Sequence, residues 1–302
     1  MSDALAVDKR MVRRSFERAA AGYDAAAVLQ NEVCRRMLAR LDYVKLAPAT
    51  ILDAGSGTGN AVNGLLTRYP GARVIALDLA LAMARHARAR RPRPALSTVE
   101  GWLAFLGRGG PRLAAVCGDI EQLPLSSACA GMIWSNLAIQ WSNDPPRAFA
   151  EMHRVLAPGG LLMFSTFGPD TLKELRAAFR SVDAHTHVHR FTDMHDVGDR
   201  LVACGFADPV MDMEIVTLTY ADVRELMRDL KAIGAHNMTR GRPATLAGKS
   251  LFAKVAQNYE PARRAGRLPA TFEVIYGHAW KPQPRLSPTG RPVIDIKPEK
   301  GS

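Results

Sequence analysis

The segment Ile51–Gly59, ILDAGSGTG, restricts the fold more than any other stretch of the chain. A short apolar run ends at Asp53, glycines alternate at Gly55, Gly57 and Gly59, and the helix-forming run NAVNGLLTRY follows. Glycines where a strand turns into a helix permit a tight turn and a close approach of ligand to backbone N–H groups. The spacing is G-x-G-x-G rather than the dinucleotide spacing G-x-G-x-x-G. No G-x-x-x-x-G-K-[ST] occurs either, which argues against a phosphate cradle. Asp53, immediately before the glycines, suits a cationic ligand and repels a pyrophosphate.

The surrounding pattern predicts an α/β fold. Apolar runs at TILDAGSG, RVIALDL, RLAAVCGD, CAGMIWSNLA and GGLLMFSTFG read as buried strands, separated by amphipathic helices. That alternation implies βαβ units and a mostly parallel, Rossmann-like sheet with helices on both faces. MDMEIVTLTY and ATFEVIYGHAWK add two further strands, giving seven, with helices expected at 193–204, 221–233 and about 245–260. Residues 9–42 read as two amphipathic helices, with Gly22 as a stop and Asp24 as an N-cap. The expected organisation is a helical cap over residues 1–45, a catalytic domain over 46–282 with a lid near 181–205, and a disordered tail at 283–302. Residues 91–111 read as an insertion before the third strand.

Two further acids extend the site. Asp78 ends the second strand, where a carboxylate accepts ribose hydroxyls, and Asp119 ends the third strand, where it can accept from an adenine amino group. Leu79 and Ile120 would flank the ring. Each acid alone could be a helix cap, but three acids at the carboxyl ends of three consecutive strands favour an adenosine site. With Asp53 beside it, the candidate ligand is S-adenosylmethionine, whose sulfonium and ammonium are cationic. Ser135 and Asn136 end the fourth strand beside the expected methyl group, and Tyr23 and Gln30 lie on the N-terminal helices expected to fold over it.

These motifs resemble the class I S-adenosylmethionine-dependent methyltransferases. RSFERAAAGYDAAAVLQ, SNLAIQW, STFGPDTLKELRAAF, HRFTDMHDVGDRL and VIYGHAWKP narrow the resemblance to the malonyl-acyl-carrier-protein O-methyltransferases of biotin synthesis, over about 9–281. The resemblance implies methyl transfer to the free carboxylate of a malonyl thioester on an acidic acyl carrier protein. A carboxylate is ionised at neutral pH, so no general base is required and no catalytic residue is assigned. A forked guanidinium would anchor the substrate carboxylate best. Arg147 is the first candidate and Arg190, with His189, the second; Tyr23 could close the pocket. Three other functions remain open: a small-molecule methyltransferase of the quinone type, an arginine-hydroxylating respiratory-complex assembly factor with the same fold, and a non-catalytic binding module.

The 40 Lys and Arg against 29 Asp and Glu, net +11, point to an anionic partner. No RNA-recognition aromatic motif or zinc finger accompanies the charge, so nucleic acid is not expected. The charged N-terminus lacks the apolar core of a secretory signal, and no apolar run approaches the ~20 residues that span a bilayer. A cytoplasmic monomer without stable membrane association is expected. Cys34, Cys117, Cys129 and Cys204 lack zinc-ligand spacing and are expected as reduced core residues; no metal is expected at His185, His187, His189 and His195.

Overall fold

The computed structural model describes residues 6–90, 112–180, 182, 185–235, 238 and 249–284. The 91–111 connection and nearly all of the 283–302 tail lie outside them. Seven strands form one sheet: β1 (Thr50–Ala54), β2 (Arg73–Asp78), β3 (Leu113–Cys117), β4 (Ala130–Asn136), β5 (Leu156–Phe167), β6 (Ala207–Tyr220) and β7 (Leu268–Trp280). Their order is β3-β2-β1-β4-β5-β7-β6. The first five are parallel, and β7 runs antiparallel to both β5 and β6. This is the seven-stranded, mostly parallel architecture expected.

Burial explains the strand sequences. In β1, Ile51, Leu52, Asp53 and Ala54 are all buried, because helices cover both faces of a parallel sheet. In β6, an edge strand, Val210, Met213 and Ile215 stay exposed. Three strands begin earlier than their apolar runs: β5, β6 and, by two residues, β7. β5 starts at Leu156 and passes through an irregular stretch where Gly159, at φ 75°, donates to Lys281 O. β6 starts at Ala207 and shifts register before Val210, with Asp208 at φ 49°.

The helices are α1 (Lys9–Ala19), α2 (Tyr23–Ala26), α3 (Val28–Arg40), α4 (Asn60–Arg68), α5 (Leu81–Ala89), α6 (Pro145–Val155), α7 (Lys173–Arg180), α8 (Met194–Ala203), α9 (Val223–Ala232) and α10 (Lys249–Tyr259). The N-terminal segment therefore holds three helices rather than two. Asp24 is not an N-cap: it sits in the first turn of α2, and its carboxylate accepts from the Thr58 hydroxyl and from Arg90 Nη2. Gly22 takes the N-cap position of α2, and Asp8 caps α1. Cys34 is buried as expected, but Cys117 is exposed and Cys129 and Cys204 are half-buried, at strand and helix ends rather than in the core. The segment with His185, His187 and His189 forms no strand, so the alternation of the three does not place them on one strand face.

Candidate functional site

The parallel register brings the carboxyl ends of β1, β2, β3 and β4 to one edge of the sheet, with Asp78 opposite Cys117 and Asp53 opposite both Ala76 and Trp134. A cavity of about 240 Å³ lies along that edge and continues past β5. The sequence-selected residues Tyr23, Gln30, Gly55, Gly57, Asp78 and Leu79 line it, as do Asp119, Ile120, Asn136 and His189. Asp53, Gly59, Ser135, Arg147 and Arg190 do not.

The glycines divide the work. At Gly55, φ 78°, an added Cβ would stand 2.2 Å from the Ala138 Cβ, so the absent side chain lets β1 turn against the segment after β4. Gly57, φ 54°, faces the cavity, where the nearest atom to a Cβ would be on the Tyr23 ring at 3.8 Å. Its N–H donates to Asp78 Oδ2 at 2.9 Å, while Asp78 Oδ1 accepts from Ala80 N at 2.8 Å.

These carboxylates are electrostatically unrelieved. Burial, reinforced by Asp78, pushes the Asp53 carboxyl up to about 8. Burial pushes Asp78 up to about 6 against the two backbone N–H bonds, with Glu17 adding to the rise. Asp53 is 2% exposed, and its Oδ2 is buried with no partner among the described residues; Gln30 Oε1 is in the same state. Buried acceptors without donors destabilise a protein unless something supplies the missing bond. A cation with N–H donors meets that need, which is the chemistry S-adenosylmethionine carries; the residues fit it.

Some selected residues act within the protein. Ser135 Oγ donates to Ala54 O at 2.8 Å and ties β4 to β1. Asn136 Nδ2 donates to Gln30 O at 3.0 Å, and its Oδ1 accepts from Ser165 Oγ at 2.9 Å, fastening α3 to the sheet edge. Asp119 accepts from Lys9 Nζ at both oxygens, 2.8 and 3.0 Å. The Tyr23 hydroxyl is held protonated, its pKa raised by burial and by Asp78 and Asp24.

Beyond β4 the wall changes character. Phe167, Leu172, Leu175, Phe179, Met227 and Phe272 line this end. His187 stacks on Phe179 at 3.9 Å. Trp141, read from sequence as packing, stands in the wall between Phe16 (5.4 Å) and His189 (5.8 Å). Burial lowers the His189 pKa, and its Nε2 is buried without a partner among the described residues. Arg147, early in α6, turns to Glu121 O (2.9 Å). Arg190 is exposed next to His189. Lys9, Phe16, Gln140, Thr171 and the apolar wall escaped the sequence reading. Among the described residues no cluster of three or more His, Cys, Asp or Glu could hold a metal, and no helix is long and apolar enough to cross a membrane.

Comparison with known proteins agrees with this geometry. Residues 52–164 match the family described as "Methyltransferase domain". The chain is 56% identical over 288 residues to the malonyl-[acyl-carrier protein] O-methyltransferase of Gallionella capsiferriformans, covering 95% of this chain and 96% of that protein. It is 58% identical over 285 residues to the protein of the same name from Nitrosospira multiformis, covering 93% and 92%. The solved YcgJ protein of Bacillus subtilis shares the fold, with TM-score 0.54 at 15% identity over 82% of this chain and 99% of that one.

Proposed function

The chain belongs to the malonyl-[acyl-carrier protein] O-methyltransferase family, and from that premise we propose how its cavity works. The protein is an S-adenosylmethionine-dependent O-methyltransferase. It methylates the free carboxylate of malonyl-acyl-carrier protein, and the methyl ester primes pimeloyl formation in biotin synthesis. The observation that carries this reading is one cavity with an acid-lined end at β1–β3 and an apolar aromatic end beyond β4. Neither the quinone-type nor the arginine-hydroxylase function is named among the close relatives.

S-adenosylmethionine supplies an electrophilic methyl group on a sulfonium. Asp78, with Gly57 and Leu79, forms the ribose side of its seat, and Ile120 and Asp119 the adenine side. Gln30 presents an unpaired acceptor to the cationic end, and Asp53, buried outside the cavity lining, favours a cation there through its charge rather than by contact. Tyr23, protonated and covering Gly57, is a hydroxyl donor at the junction of the two ends.

The acceptor carboxylate arrives ionised, so the protein has only to desolvate and align it. The Phe167–Phe179–Phe272 wall excludes water, and the neutral His189 presents Nε2 as the polar group that orients the acceptor. Arg147 is engaged at Glu121, so Arg190 at the mouth is the better of the two arginines for drawing in the anionic substrate.

Residues 1–45 act as the cap, 46–282 as the catalytic domain and 181–205 as the lid. The carrier is acidic and docks against the basic rim of the cavity. The enzyme works as a cytoplasmic monomer. Incubation with labelled S-adenosylmethionine and malonyl-carrier protein, read by intact mass, should show one added methyl ester. Labelling of a free quinone-like acceptor instead, with the carrier untouched, would overturn the assignment.

A further inference from the structure

We propose that Lys9 is a positioning residue that latches α1 over the adenine end of the cavity, bridging Asp119 and Glu121 and keeping its hold on Glu121 when Asp119 turns to a ligand. The proposal rests on the S-adenosylmethionine reading of the site.

Among the described residues lining the cavity, Lys9 is the one lysine or arginine. Its Nζ lies 2.8 and 3.0 Å from the two Asp119 oxygens and 3.1 Å from Glu121 Oε1. The three side chains are largely shielded, at 23%, 30% and 17% exposure. One cation therefore serves two carboxylates. Glu121 does not depend on Lys9 for its place, because its Oε1 also accepts from Ser142 Oγ (2.7 Å), Asn143 N (2.5 Å) and Asp144 N (3.2 Å). Those bonds, with Lys9, hold its pKa below the usual range against its burial. Asp119 has one further described bond, from Glu121 N at 3.0 Å, and it faces the cavity. Of the two acids, Glu121 is the fixed post and Asp119 the one that a ligand amino group can reach.

The rest of the fastening sits beside the same post. Val7 N donates to Asn143 Oδ1 (2.7 Å), and Asn143 Nδ2 donates to Val7 O (2.9 Å). Asp8 N bonds Met238 O (2.9 Å). At the far end of α1, Glu17 accepts from Leu81 N and Ala82 N, the first turn of α5. Release of Lys9 leaves the start of α1 held by the Val7 and Asp8 bonds alone while Glu17 remains as a hinge point, which eases opening of the adenine end to exchange.

The test uses the full-length protein and S-adenosylhomocysteine, which binds without turnover. Trp141 in the cavity wall supplies the fluorescence signal for stopped-flow dissociation. Tryptic cleavage after Arg10, Arg13 and Arg14 reports lifting of α1. Lys9→Met keeps the apolar stem and removes the charge. It should speed dissociation about tenfold, the loss of one charge-assisted contact, and accelerate cleavage in the ligand-free protein. Lys9→Arg should restore both. Dissociation within twofold of the parent protein overturns the latch. Faster dissociation with unchanged cleavage also overturns it, by making Lys9 a ligand contact alone. If the parent protein binds no S-adenosylhomocysteine, the donor reading itself falls and the latch with it.

Discussion

At the β1–β3 end of the cavity, the polar groups stand at strand ends, fixed by the sheet register: Asp78 lines the cavity and accepts from Gly57 N and Ala80 N, and Asp53 lies buried between its strand neighbours, outside the lining. At the far end, the wall is side-chain carbon from β5, α7, α9 and β7, brought together by packing. On the proposed reading, the first end discriminates by charge and hydrogen-bond geometry, the second by shape and dryness. Donor and acceptor affinities should therefore respond to different substitutions.

The largest effect belongs to Asp78→Ala. It removes both bonds to Gly57 and Ala80 and the negative charge facing the donor. Charge-assisted bonds contribute about 1.5–3 kcal/mol each, so donor affinity by calorimetry should fall about 100-fold. KM for the malonyl-carrier substrate should stay within about twofold. Equal losses for donor and acceptor would mean that the two ends form one cooperative site.

The difference between the ends also governs what the sequence revealed. Three acids at the ends of consecutive strands are legible because parallel strands align their carboxyl ends whatever the details of packing. The apolar end was not legible, because Phe167, Phe179, Met227 and Phe272 look like ordinary core residues until the fold collects them from distant segments. Lys9 is one cation in an arginine-rich helix, and its partner lies 110 positions away. Arg147 drew attention through its place early in a helix near the site, but local bonding to Glu121 O took it. Asp24 carried a capping residue's identity, yet Thr58 and Arg90 compete for its carboxylate. Residue type thus pointed to strand ends that line the cavity, while the misread charged side chains, Arg147 and Asp24, erred in which of several available partners they take.

The second effect is a pH dependence confined to the donor end. Asp53 titrates near 8 in the free protein because of burial and Asp78, whereas an unfolded aspartate titrates near 4. A raised acid favours the folded state at low pH, so free-protein stability should decline as pH rises from about 4 to about 8. A bound cation favours the ionised form. Donor affinity should therefore climb with pH below 8, by up to about tenfold per unit, with proton release detectable by calorimetry in buffers of different ionisation enthalpy. Asp78, Glu17 and Tyr23 share this electrostatic environment. A flat affinity between pH 6 and 8 would show that Asp53 is already ionised, or that it never faces the cation.

Phe179→Ala probes the other end and should act more weakly. It removes the ring that stacks on His187 and lines the wall. An aromatic contact of this kind contributes about 0.5–1.5 kcal/mol beyond burial. The acceptor KM should rise about fivefold, while the donor dissociation constant moves less than about twofold. A larger change in donor affinity would indicate that the aromatic wall also supports the acidic end.

The smallest effect concerns the rim. Arg180 follows the wall residue Phe179, and Arg190 follows His189. Both are exposed, and neither pairs with a carboxylate among the described residues. Their charges also reach inward: burial together with Arg180 and Arg190 lowers the pKa of Arg176, whose guanidinium donates to Pro169 O and Thr171 O at 2.8 Å. A positive rim attracts an anionic partner through long-range field rather than contact. Reversing one charge, Arg180→Glu, should raise KM for carrier-bound substrate about threefold at low salt. Half-molar salt should erase the difference, since the screening length falls to a few Å. A salt-insensitive increase would mean that Arg180 touches the substrate directly, which would move the boundary between the two ends outward to the rim itself.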